Sequence, residues 1–275
     1  MHALIEKKRK KRIPKVKYNF NNLTSQKKIR NDLKRIKPNI IIHLASKNET
    51  YEKRKNEKNY KVNYLKNLKY TSNLLNSIIK IDLKTKLIFA GSSLMFKDTN
   101  KKVSEKTVLK SNDFYGNYKI DAHKIIMRMK KEKKIDASTA ILFNHDSEFR
   151  NKKFLLPRLV KSFVNKDFKF IKDIYKLNVN GDFSHAEDIC NGIYKLSVTK
   201  KKIDMLILSS GKRFYINNII NYLEKYFQYN IKKKYSVKNL NHRIIGSNKL
   251  AKKLINYKSV KSPINACKEI LKNYL

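Results

Sequence analysis

The 275 residues carry 65 Lys and Arg against 22 Asp and Glu, a formal net charge of +43 at pH 7, with no Trp and six Gly. Of the basic residues 10 are Arg and 55 are Lys, spread through every segment together with Asn and Ile. Specific readers of nucleic acid favour the bidentate guanidinium and gather charge on one face, so the pattern argues against a dedicated nucleic-acid-binding module and for a chain-wide compositional bias.

Short apolar runs alternate with longer amphipathic stretches. In chain order, residues 2–5 and 16–20 read as strands, 25–36 as a helix, 39–44 as a strand, 59–79 as a helix and 86–90 as a strand. Then come a helix over 115–133, a strand over 138–143, a helix over 187–198 and a strand over 204–209. Several of the strands are β-branched and apolar enough to be buried on both faces. Such alternation predicts an α/β fold, a Rossmann-like doubly wound parallel sheet with right-handed crossovers. After residue 150 helices predominate, at 154–164, 214–227, 248–254 and 263–275. Residues 1–150 are therefore expected to form the sheet domain, to which 186–209 returns, and 151–275 mainly a smaller, mostly helical lobe.

Cys190 and Cys267 lie far apart without metal-like spacing, which fits small apolar residues in a reducing compartment; no metal is expected. No apolar run approaches bilayer length, and the N-terminus has charge where a signal peptide has its apolar stretch, so a soluble cytoplasmic protein is expected. The run Lys7-Lys8-Arg9-Lys10-Lys11-Arg12 reads as solvated charge or a nuclear signal.

In doubly wound sheets ligands sit beyond the carboxyl ends of the strands, and three short motifs fall there: His43-Leu44-Ala45-Ser46, Gly91-Ser92-Ser93 and Phe143-Asn144-His145. Tyr115 and Lys119 stand four apart at the start of a predicted helix, so one turn puts phenol and ammonium on one face. A phenol with a pKa of roughly 10 is a poor proton-transfer group at neutral pH until a cation lies beside it and a hydroxyl in front. Spacing alone leaves open a chance pair in a Lys-rich helix.

Taken together, six motifs in register resemble the extended short-chain dehydrogenase/reductase family of nucleotide-sugar enzymes, and within it the GDP-mannose 4,6-dehydratase branch. They are Pro38-Asn39-Ile40-Ile41-Ile42-His43-Leu44-Ala45, Gly91-Ser92-Ser93 with Met95-Phe96, the Tyr115/Lys119 pair, Ile141-Leu142-Phe143-Asn144-His145-Asp146-Ser147, Asp182-Phe183-Ser184-His185-Ala186-Glu187-Asp188, and Leu208-Ser209-Ser210-Gly211. The resemblance implies a catalytic group of Ser92, Tyr115 and Lys119 that oxidises or reduces a sugar at C4. It also implies a cofactor site including Leu23, Leu44, Ala45, Asn22 and Lys119, and substrate contacts from Asn144 and Arg158 in the helical lobe. A cation just after the second family strand favours a 2′-phosphate, so Arg9 is expected to select NADP, with NAD the alternative. The implied substrate is a GDP-linked nucleotide sugar and the implied assembly a homodimer or tetramer.

The chain departs from the family pattern at four points. The opening strand and glycine-rich phosphate turn are not found before residues 2–5, and the first glycine is Gly91, which leads to the expectation of a truncated reading frame that binds dinucleotide poorly. Leu94 stands where the dehydratases carry a proton-accepting Glu, Gly181 where an Arg is common, and Asn22 where an acid is usual. Three readings are open: a dehydratase on the motifs in order, a 4-keto-sugar reductase or epimerase on Leu94, and a catalytically inactive homologue on the missing glycine-rich turn.

Overall fold

The computed structural model describes residues 1–5, 14–20, 23–47, 57–99, 101–231 and 244–274; Arg9 and Asn22 lie outside the described residues. The chain forms two compact units, one of Met1–Ala90 with Asp113–Thr139 and one of Gly91–Asn112 with Ala140–Leu275.

In the first unit, β1 (His2–Ile5) and β2 (Lys17–Phe20) pair in parallel, from His2 opposite Lys17 to Ile5 opposite Phe20. Helix α1 (Gln26–Ile36) begins where the Ser25 hydroxyl accepts the Lys28 N–H at 3.4 Å and ends at Lys37 in the left-handed conformation, φ 45°. Its buried stripe is Ile29 and Leu33, one turn apart. Strand β3 (Ile40–His43) pairs in parallel with β4 (Lys86–Ser92), Ile40 opposite Lys86 and His43 opposite Phe89. Helix α2 (Glu57–Lys80) follows β3, and α3 (Phe114–Lys131) begins where the Asp113 carboxylate accepts Gly116 N–H at 2.6 Å.

Leu74, Leu75 and Ile78 of α2, Leu87 and Phe89 of β4, and Tyr118, Ala122 and Ile126 of α3 share one core with Ile29 and Leu33. Each such aliphatic side chain contributes on the order of 1.5–3 kcal/mol of burial. Strand β5 (Asp136–Leu142) and β4 both cross the division between units, and the sheet order is β3-β4-β5-β9, with β9 at Met205–Leu208. In β4 the five residues Leu87 to Gly91 are all buried, as are Ala137 to Ile141 in β5, the signature of strands covered on both faces.

The second unit adds two small pairings, β6 (Asn144–Asp146) parallel to β8 (Phe183–His185) and β7 (Asn180–Gly181) antiparallel to β10 (Phe214–Tyr215). Its helices are α4 (Leu155–Val164), α5 (Phe168–Lys176), α6 (Ala186–Val198), α7 (Ile216–Phe227), α8 (Lys249–Ile255) and α9 (Pro263–Leu271). Leu156, Leu159, Val160 and Phe163 of α4 pack with Ile171 of α5, Ile219, Ile220 and Leu223 of α7, and Ala266, Cys267 and Ile270 of α9. Cys267 is a buried free thiol in that core, as its small apolar character suggests, whereas Cys190 is exposed.

Three contacts fix this unit locally. Gly192 lets α6 lie close to its neighbours, since a Cβ there would come within 2.9 Å of the Leu208 and Tyr257 side chains. His185 caps α6 through Nδ1, which accepts the Glu187 N–H at 3.2 Å, so Nε2 carries the proton it donates to Glu269 at 2.7 Å on α9. Buried Asp182 accepts hydrogen bonds from Ser210 N–H at 2.8 Å, Ser210 Oγ at 2.6 Å, Gly211 N–H at 3.0 Å and Gly246 N–H at 3.2 Å.

The helix expected over 214–227 starts two residues later because Phe214 and Tyr215 pair with β7. The one expected over 263–275 ends as a helix at Leu271. Helix α5 and the four short strands were not foreseen.

Candidate functional site

The cap at Asp113 starts α3 so that Tyr115 and Lys119 fall one turn apart in its first two turns. Lys119 is 2% exposed, and its Nζ donates to the Ala90 carbonyl at 2.6 Å. The ammonium also lies over three rings, 4.8 Å from the Phe89 centroid, 5.1 Å from Tyr118 and 5.3 Å from Tyr115. Burial pulls the amine from 10.5 down to about 7, so near neutrality it is poised between its two forms. The structure thus brings together the two residues that spacing had paired.

A hydroxyl meets the phenol from within the same unit. Ser46 Oγ lies 3.3 Å from Tyr115 OH, in the segment that leaves β3. The next residue is clamped by α2: Lys47 N–H donates to Asn67 Oδ1 at 2.7 Å, and Asn67 Nδ2 donates back to the Lys47 carbonyl at 2.8 Å. Sequence reasoning gave Ser46 no role; its place directly beyond a strand's carboxyl end was the signal that could have found it.

A buried hydrogen-bonded set underlies the pair. The Thr71 hydroxyl lies 3.1 Å from the Asn67 carbonyl, 3.0 Å from His43 Nε2 and 3.3 Å from Tyr118 OH, one shared hydrogen-bonding point for three groups. Burial, with the Lys119 charge second, lowers the imidazole to about 3 and keeps it neutral. His43 also packs against Phe89, ring centroids 5.7 Å apart.

The remaining expected residues are placed as follows. Leu23 is 8% exposed in the core, at φ 56°, and its carbonyl accepts from Asn73 Nδ2 at 2.9 Å. Leu44, 58% exposed, and Ala45, also exposed, lie just past β3. Ser92, Asn144 and Arg158 belong to the second unit. There Ser92 Oγ accepts the Leu94 N–H at 3.2 Å and caps the short 3-10 helix Ser93–Met95. Asn144 sits in β6 and donates to the Asp182 carbonyl at 3.4 Å, and the Arg158 guanidinium stacks 4.3 Å over the Phe170 ring. Among the described residues no group of His, Cys, Asp or Glu could hold a metal ion, and no helix is long and apolar enough to cross a membrane.

Comparison with known proteins matches residues 1–262 to the family described as GDP-mannose 4,6 dehydratase. A UDP-glucose 4-epimerase of Mycoplasma genitalium is 25% identical over 196 residues, 66% of this chain and 57% of the relative. A GDP-6-deoxy-D-talose 4-dehydrogenase of Aggregatibacter actinomycetemcomitans is 29% identical over 177 residues, 64% of this chain and 57% of the relative. These matches therefore span little more than half the length of either relative. Among solved structures, a UDP-glucuronic acid 4-epimerase of Bacillus cereus in complex with NAD superposes with a TM-score of 0.76 at 18% identity, over 94% of this chain and 79% of that one.

Proposed function

The chain belongs to the GDP-mannose 4,6-dehydratase family, and on that premise we propose that it modifies a nucleotide sugar, GDP-linked, by oxidation or reduction at C4 with NADP or NAD as cofactor. The observation that carries this reading is the buried Lys119 amine against the Tyr115 ring, with a hydroxyl at the phenol oxygen. A nicotinamide dinucleotide supplies the hydride acceptor or donor when bound; the proton is the protein's task. In the oxidising direction the C4–H bond breaks with its electron pair leaving as hydride, and the C4 hydroxyl proton passes to the Tyr115 phenolate. Reduction reverses both transfers. The Lys119 charge favours the phenolate, and Ser92 is proposed to hydrogen-bond the reacting oxygen.

Beside Lys119 and at the end of β3 the described residues suit the cofactor. An ammonium has three N–H donors, and Ala90 O takes one of those on Lys119, a donor set suited to ribose hydroxyls. Exposed Leu44 and Ala45 offer apolar surface at a strand's carboxyl end, where dinucleotides lie in this class of sheet. Asn22, Leu23 and Arg9 are proposed on the adenosine side, and Asn144 and Arg158 as contacts to the sugar nucleotide. Residues 1–150 would then serve the cofactor and 151–275 mainly the substrate.

Leu94 favours a second reading. Elimination of water needs a base for the sugar C5 proton, and leucine accepts none, whereas redox exchange at C4 needs only the Tyr and Lys centre and its hydroxyl. A 4-keto-sugar reductase or epimerase is the form of the activity that this residue allows. The test is binding of NADP(H) and NAD(H) by fluorescence, followed by incubation with GDP-mannose and with a GDP-4-keto-6-deoxy sugar. Turnover of either supports the reading. Failure to bind any dinucleotide and to turn over either sugar would overturn it.

A further inference from the structure

We infer that Ser46 is a positioning residue for Tyr115, holding the phenolic oxygen and donating a hydrogen bond to it when it is ionised. Lys119 meets the face of the Tyr115 ring, 5.3 Å from its centroid, whereas Ser46 meets its oxygen at 3.3 Å. The two therefore act on the phenol by different routes, a nearby charge and a hydrogen bond. A serine hydroxyl is both donor and acceptor. It accepts from the phenol and, by rotating about its own C–O bond, donates to the phenolate, so neither protonation state leaves the pair without a hydrogen bond.

The geometry is built in rather than incidental. Ser46 follows β3 by only three residues, and Lys47 beside it is tied by two hydrogen bonds to Asn67, itself 1% exposed. The same Asn67 carbonyl receives the Thr71 proton, which makes the clamp continuous with the buried set around His43 and Tyr118. The hydroxyl is thus aimed by a fixed backbone, the condition under which one hydrogen bond to an ionised group has its full effect.

The inference rests on the acid–base role proposed for Tyr115 and on neither the cofactor nor the sugar. Its test is the ionisation of Tyr115 in the full chain, read as the phenolate absorbance that Tyr115→Phe removes. In Ser46→Ala the midpoint of that component should rise by about one pH unit, a roughly ten-fold smaller phenolate fraction at fixed alkaline pH, for the loss of one charge-assisted hydrogen bond. Ser46→Thr, which keeps the hydroxyl, should restore it, and equal urea midpoints for the two variants would show both folded. An unchanged midpoint in Ser46→Ala, or a Thr variant that behaves like Ala, would overturn the inference. If the midpoint moves as stated while no dinucleotide binds and no sugar nucleotide turns over, the inference stands and the proposed function fails. Turnover with an unmoved midpoint supports the proposed function and overturns the role given to Ser46.

Discussion

Replacing Lys119 by Met should make the protein more stable at neutral pH while abolishing the proposed chemistry. The side chain is 2% exposed, and burial draws its amine from 10.5 to about 7. At about 1.4 kcal/mol per pKa unit, that displacement corresponds to roughly 4–5 kcal/mol of charge burial, an upper bound because the interior relaxes around a charge. Met keeps the length and apolar stem but leaves the Ala90 carbonyl without the 2.6 Å hydrogen bond it now accepts. That loss costs about 1 kcal/mol and does not depend on pH.

The sign follows from proton counting. Between about pH 7 and 10.5 the unfolded chain keeps a proton on this lysine that the folded chain has lost, so the group adds stability as pH rises. Below the folded value both states are protonated, and the full cost of the buried charge remains. The Met variant lacks this dependence. Its advantage should be about 3 kcal/mol near pH 6 and should close, and slightly reverse, as pH approaches about 10. Urea unfolding of both proteins across that range measures the gap directly. A gap that stays constant with pH would refute a buried, depressed amine at this position.

Tyr115→Phe should leave the urea midpoint nearly unchanged and lower turnover by about 10²–10⁴-fold, as expected for loss of a positioned acid–base group. Leu94→Glu should introduce elimination of water, detected as a GDP-4-keto-6-deoxy product from GDP-mannose; if the variant forms none, a missing base at this position is not what limits the dehydratase reaction. Gly192→Ala should destabilise the chain by about 1–3 kcal/mol in thermal or urea unfolding, because its Cβ would stand 2.9 Å from Leu208 and Tyr257.

The main strands were readable because their physics is local. The run Leu87-Ile88-Phe89-Ala90 is apolar on successive residues, which marks a strand buried on both faces, and Ser25 ahead of Ile29 and Leu33 announces a capped amphipathic helix. The pairs β6 with β8 and β7 with β10 involve two or three residues each, with partners more than thirty residues away, too short for any period to show. The Tyr115/Lys119 pair was visible because one helical turn joins it. Ser46 was not, since its contact with Tyr115 spans 69 residues, and the His43–Thr71–Tyr118 set spans 28 and 47. Such contacts are made by the packing of β3, α2 and α3; the strand end marked where Ser46 would stand, but not which side chain it would meet.

Asp182 has a consequence for the lifetime of the second unit. Its donors lie 28, 29 and 64 residues further along the chain, so the carboxylate is satisfied only after three segments distant in sequence have already met. Closing such loops costs entropy before any of these bonds forms, which places them late on the folding path. Asp182→Ala should therefore quicken unfolding far more than it slows folding, a separation that denaturant-dependent rates resolve. A carboxylate in this position is a latch: it has little part in how the unit is reached and a large one in how long it persists.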